Sequence, residues 1–246
     1  MTLTLKGRIM PASNATFLAE LDGVEVVYKP VAGERPLWDF PDETLARREV
    51  AAYLVSEETG WDVVPRTWIG EGPHGPGMVQ EWQTVVEDDE PVTLVAEGEV
   101  PAGWCAVFDG YDAQDRPITL IHEDTAPLRR MALFDVVVNN ADRKGGHVLA
   151  MPAGHRYGVD HGLTFHHEPK LRTVLWGWAA APLTVQERDV LEHLAGAVRG
   201  DLGRRLADHL VEEEIEAVER RIRALRGAGV LPAPSGGWPA IPWPPF

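Results

Sequence analysis

The chain predicts an α+β fold in which an antiparallel sheet and one helix precede a mainly helical region. Three observations carry this. Residues 2 to 31 alternate apolar and polar side chains between turn signals, and residues 42 to 59 have helical spacing and lead into two more strand-like runs. Helical patterns then return at 127 to 138 and 184 to 226.

The opening runs hold Leu3, Leu5 and Ile9, then Phe17 to Leu21, then 24 to 29, separated by Met10-Pro11-Ala12-Ser13-Asn14 and by Asp22-Gly23. Asp-Gly between β-prone runs is a hairpin signal, so the start reads as a three-stranded meander. In the helix at 42 to 59, Asp42 after Pro41 is the expected N-cap, Glu43 suits the first turn, and Gly60 is the stop. Leu45, Glu49, Ala52, Tyr53 and Ser56 share one face of it. Strands are expected at 63 to 69 and 78 to 82, joined through a Gly/Pro turn at 70 to 77. The acidic stretch 84 to 103 reads as a linker or surface insertion. Two helices are expected within 184 to 226, the first opened by a Thr184/Glu187 capping box. Residues 227 to 246, rich in Pro, Gly and Trp, have no periodicity and read as extended or disordered chain.

At 246 residues, 44% hydrophobic and 25% charged, the chain is long enough for one large domain or two lobes. A net charge of -15 disfavours duplex nucleic acid and anionic membranes as partners. One cysteine, Cys105, excludes an internal disulfide and a thiolate zinc cluster. No signal peptide or membrane-spanning run is visible, and a cytoplasmic location is expected.

Chemistry concentrates at Asn139-Asn140-Ala141-Asp142-Arg143-Lys144-Gly145-Gly146-His147 and at Val159-Asp160-His161-Gly162. Phosphoryl transfer requires a carboxylate to orient the attacking group, a second to hold a metal, and an intervening metal ligand. Asp142, Asp160 and His147 are of those types. Five residues separate Asp142 from His147, the spacing at which kinase loops place the base and a second metal ligand, ordinarily asparagine. Imidazole favours Mn over Mg. Lys29 ends a strand, where lysine is ordinarily solvated, but Glu49 on an apolar helix face demands a cationic partner and Lys29 is a candidate. The turn holding Ser13 and Asn14 would offer backbone N-H groups to phosphates, yet it lacks glycine and reads equally as a plain hairpin turn. His161, His166 and His167 near Glu168 match no common zinc spacing and read as a solvated loop, while Trp176, Trp178, Trp238 and Trp243 read as core or tail packing.

Taken together, these pieces resemble the phosphatidylinositol 3- and 4-kinase-like family, in particular its type II 4-kinase branch. The matching elements are Val26-Val27-Tyr28-Lys29-Pro30, Glu49-Val50-Ala51-Ala52-Tyr53 leading to Val64-Pro65-Arg66-Thr67, Asn140-Ala141-Asp142-Arg143, and Val159-Asp160-His161-Gly162-Leu163-Thr164-Phe165. HipA-type serine kinases have a similar layout. The likeness covers roughly residues 5 to 167.

The resemblance implies a two-lobed, protein-kinase-like fold: an N-lobe at 1–83, a C-lobe at 84–226 with the catalytic and metal-binding loops, and a tail at 227–246. It implies that Lys29 contacts ATP phosphates with support from Glu49, that Ser13 and Asn14 lie in the phosphate loop, and that Gln80-Glu81-Trp82 meets adenine. Asp142 with Arg143 would be catalytic, and Asp160 with His147 would hold Mg2+ or Mn2+. His147 replaces the family's asparagine. The expected activity is transfer of the γ-phosphoryl group to a protein Ser/Thr, a small molecule or the protein itself; a pseudokinase and an adenylyl transferase are the alternatives.

Overall fold

The computed structural model describes residues 2 to 10, 12, 14 to 236 and 239 to 246. Three N-terminal strands, β1 (Leu3–Arg8), β2 (Phe17–Leu21) and β3 (Val24–Pro30), form the expected meander. Its second turn has both Asp22 (φ 51°) and Gly23 (φ 85°) in left-handed conformations, the two-residue geometry that Asp-Gly favours. Helix α1 (Leu45–Thr59) follows, and then β4 (Thr67–Gly72) and β5 (Gly75–Glu81). Among the described residues these strands make one antiparallel sheet in the order β1-β2-β3-β5-β4. Lys29 on β3 pairs with Met78 on β5.

Helix α1 is buried on nearly every side, from Leu45 through Val50, Ala51, Ala52 and Val55 to Thr59. Gly60 stops it in a left-handed conformation, as expected. Its start differs from expectation. Asp42 does not cap it, and the N-cap residue Thr44 makes no side-chain cap bond. The Glu34 carboxylate, from the segment after β3, instead accepts from the amides of Leu45 (3.1 Å) and Ala46 (2.8 Å). A carboxylate at a helix N-terminus satisfies orphan donors and complements the helix dipole whichever part of the chain supplies it.

The stretch read as a linker carries β6 (Val92–Ala96), which joins β7 (Trp104–Tyr111) and β8 (Pro117–Glu123) in a second antiparallel sheet, order β6-β8-β7. Then come α2 (Ala126–Val138), the short hairpin of β9 (Val148–Ala150) and β10 (Arg156–Gly158), and three helices. These are α3 (Val185–Val198), α4 (Asp201–Leu206) and α5 (Glu212–Ala228), one more than the two expected. The expected Thr184/Glu187 capping box opens α3. An N-terminal antiparallel sheet with a helix, followed by a largely helical C-terminal region, is therefore the architecture, as the sequence predicts.

A main core joins α1, α2 and the three later helices through Val55, Leu128, Leu133, Phe134, Leu191, Leu206 and Ile222. Burying each such side chain contributes roughly 1.5–3 kcal/mol. A smaller cluster of Leu3, Ala19, Val26, Tyr28 and Val79 sits on the N-terminal sheet. The tail is ordered where it is described: Ala240 O accepts from Thr173 N (3.0 Å) and Trp176 Nε1 (2.8 Å). Among the described residues no helix is long and apolar enough to cross a membrane.

Candidate functional site

The site is assembled from β3, α1 and two loops that flank the β9–β10 hairpin. Lys29 Nζ lies 2.7 Å from Glu49 Oε1 and 2.7 Å from Asp160 Oδ1. The other Glu49 oxygen accepts from the backbone amide of His161 (2.8 Å). Glu49 is thus a two-sided clamp, holding the lysine with one oxygen and the Asp-His-Gly turn with the other. Asp160 takes a left-handed backbone (φ 61°), a conformation that aspartate tolerates better than most non-glycine residues and that Asp22 and Asp115 also adopt in turns.

Burial opposes the charge on Lys29, yet Asp160 and Glu49 outweigh it and raise its pKa above the ordinary lysine value. Lys29 in turn holds Asp160 well below the usual carboxylate range, with His147 acting in the same direction. The Asp160 side chain is 51% exposed, so this is the solvent-facing part of the cluster. Asp142, mostly shielded, has its pKa raised by burial and by the charge of Asp160, while Lys144 at 3.4 Å works the other way.

His147 Nε2 sits 3.5 Å from Asp160 Oδ2, and its Nδ1 is buried without a partner among the described residues. Burial pushes its pKa down to about 4, so at neutral pH the ring is uncharged and has a lone pair to give. A group held neutral in the folded state contributes stability above its unfolded pKa of 6.5, and that contribution is lost as pH falls through about 4. The depression corresponds to about 3 kcal/mol. Urea unfolding between pH 7 and 4 is expected to fall more steeply for the wild type than for His147→Asn. Superimposable profiles would show that burial does not hold this ring neutral.

A buried network fixes the loop. Arg143 and Asp135 are both fully buried; the guanidinium donates to Asp135 Oδ1 (2.9 Å) and Oδ2 (3.0 Å). It also donates to the carbonyls of Val159 (3.1 Å) and His147 (3.3 Å) and to His161 Nε2 (2.6 Å). Because guanidinium only donates, His161 Nε2 accepts, and the His161 proton lies on Nδ1. Burial and the Arg143 charge keep His161 well below its ordinary pKa, hence neutral. Gly158 admits this arrangement: a Cβ there would lie 2.9 Å from an Arg143 nitrogen. Asn140 donates to Asp135 Oδ1 (2.9 Å) and accepts from the Asp142 amide (3.0 Å), so Asp135 orients the Asp142 loop at one remove.

Lys29, Glu49, Asp142, His147 and Asp160 are therefore brought to one place. Arg143 reaches that place only from behind, as the buried stitch between the two loops. Asn14 uses its Oδ1 on the Arg35 amide (2.9 Å), and Ser13 lies outside the described residues. Gln80 is buried and donates to Thr67 Oγ1 (2.9 Å). The amides of Glu81 and Trp82 donate to Arg66 O (3.0 Å) and Glu25 O (3.0 Å), so these donors are already used within the sheet. Sequence reasoning missed Asp135 and quoted Asn140 only as part of the loop motif, with no role of its own. The signal for Asp135 was available: it is a carboxylate inside an apolar helix, the same argument that singled out Glu49. At the far side of the loop, Gly145 donates to Pro245 O (2.8 Å), and the Phe246 ring fills the space a Cβ on Gly145 would need.

No protein-family model matches the chain. The crystal structure of a Helicobacter pylori proinflammatory kinase, CtkA, superposes with a TM-score of 0.47 at 12% identity, over 93% of this chain and 92% of that one. Protein Rv2133c of Mycobacterium tuberculosis is 49% identical over 257 residues, spanning 99% of this chain and 92% of its own length. The chain belongs to the same protein family as Rv2133c.

Proposed function

We propose that the protein is an atypical kinase that binds ATP with a divalent metal and transfers the γ-phosphoryl group to a hydroxyl. One observation carries this reading: a single ammonium, Lys29, joins Glu49 on α1 to Asp160 in the Asp-His-Gly turn, with Asp142 in electrostatic reach. Motif order supports it, following the phosphatidylinositol 3-/4-kinase-like pattern with His147 at the asparagine position.

In this reading Lys29 pairs with the ATP phosphates, and Glu49 keeps the ammonium in place. Asp160 and His147 fit a divalent ion: a carboxylate oxygen and a neutral imidazole nitrogen 3.5 Å apart are close enough to share one. Such an ion, when bound, supplies positive charge against the phosphate oxygens. The acceptor oxygen forms the new bond to the γ-phosphorus, and the bond to the β,γ-bridging oxygen breaks with its electron pair leaving on ADP. Asp142 orients the hydroxyl and takes its proton, a role suited to a carboxylate whose pKa is raised. A net charge of -15 favours a protein Ser/Thr or a small molecule over a lipid in an anionic membrane.

Incubation with γ-labelled and, separately, α-labelled ATP tests the reading, with Mg2+ or Mn2+ present. Label from the γ position alone is expected; transfer of α-label, or of none, would sink it. His147→Asn is expected to lower the Mn-over-Mg rate ratio roughly tenfold, because an amide oxygen favours the harder ion. An unchanged ratio would place His147 outside the coordination shell.

A further inference from the structure

The loop that runs from Arg143 to β9 is fixed firmly at its two ends. At one end the Arg143 amide donates to Arg172 O (3.1 Å) and the Arg143 carbonyl accepts from Val174 N (3.1 Å); at the other, β9 begins at Val148. Between them stand Lys144-Gly145-Gly146-His147, where two adjacent glycines give the backbone its widest choice of conformations. Yet this stretch has to bring His147 to within 3.5 Å of Asp160. The tail supplies a hold at its middle. Ala240 O accepts from Thr173 N (3.0 Å), in the segment that flanks Arg143, while Ile241 packs on the main core and Pro242 is buried. Pro245 O then accepts from the buried Gly145 amide (2.8 Å), and the Phe246 ring presses against the same glycine so closely that a Cβ there would collide with it. The grip is light at that end, since Trp243 is 81% and Phe246 46% exposed. A segment with few buried apolar contacts lifts without unfolding the rest.

We propose that residues 240 to 246 are a strap over the Asp142–His147 loop, anchored at Ile241 and Pro242 and fastened at Gly145 by Pro245 and Phe246, which act as positioning residues for phosphoryl transfer. The hold on the loop stands on geometry alone; its effect on rate rests on the kinase reading. With the strap fastened, the glycine pair loses its freedom, and Asp142 and His147 keep one fixed separation. Transfer depends on such geometry, because a displacement of about 1 Å in a catalytic group costs up to roughly a hundredfold in rate. With the strap lifted, the loop samples other conformations and the rate falls.

A variant lacking residues 245 and 246 tests this beside Phe246→Ala and Phe246→Leu. Removal is expected to speed hydrogen exchange at the Gly145 amide at least roughly tenfold while the urea midpoint stays unchanged. With γ-labelled ATP, kcat should fall roughly tenfold and the KM for ATP stay within about threefold, because a positioning role acts on the chemical step. Phe246→Ala should show a smaller loss of the same kind, and Phe246→Leu, which keeps apolar bulk against Gly145, should stay near the wild type. Phe246→Ala decides the matter should the shortened variant not fold. Unchanged Gly145 exchange overturns the strap, and raised exchange with unchanged kcat overturns its positioning role. A faster variant would make the segment an inhibitor and overturn that role too. No transfer by the wild type would sink the kinase reading and the effect on rate with it, while raised Gly145 exchange would still support the hold.

Discussion

Asp142→Asn is expected to lower γ-phosphoryl transfer roughly a thousandfold while leaving ATP binding and stability nearly unchanged. The side chain is 24% exposed, and the ion pair it makes is with Lys144 at 3.4 Å, so little of the fold depends on its charge. Its backbone is held independently, through the amide bond to Asn140 and from there to Asp135. Asparagine keeps the shape and loses the basicity, so the effect belongs in kcat. Single-turnover transfer, paired with a thermal shift by ATP and metal, separates the two. A rate within about threefold of the wild type, with ATP binding intact, would remove Asp142 from the chemistry.

Arg143→Ala should unfold or loosen the molecule, with a loss of about 3–5 kcal/mol in urea unfolding. Removing the guanidinium strands a fully buried Asp135 carboxylate and frees the carbonyls of His147 and Val159 together with His161 Nε2. Asp135→Ala leaves the mirror-image problem, an uncompensated buried cation. The double variant should cost less than the sum of the singles, because each single includes the penalty of the abandoned partner. A loss under about 1 kcal/mol for Arg143→Ala would mean that solvent reaches this network.

What was legible in the sequence was what local pattern encodes. The Asp-Gly hairpin, the Gly60 stop and the Thr184/Glu187 box each rest on residues within a few positions of one another. Glu49 was legible for a different reason: a carboxylate on an apolar face has to be answered, and Lys29 answers it. The second sheet was not legible. Its β7–β8 turn is built on Asp112, whose carboxylate accepts from the amides of Gln114 (2.8 Å) and Arg116 (2.9 Å), with Asp115 rather than glycine at positive φ (57°). Strand β6 pairs with β8 and skips its sequence neighbour, so no short-range signal announces it. The same limit hid the α1 cap, which comes from eleven residues before Leu45.

That cap bears on how the molecule opens. Glu34 follows β3, which carries Lys29, and it grips the first turn of α1, which carries Glu49. Here the strand-to-helix connection is tied at the helix start by two charge-assisted bonds and at the middle by the Lys29–Glu49 contact. The strand end, the connection and the helix are expected to open as one unit, so that hydrogen exchange at the Leu45 and Ala46 amides should rise in a Lys29→Met variant.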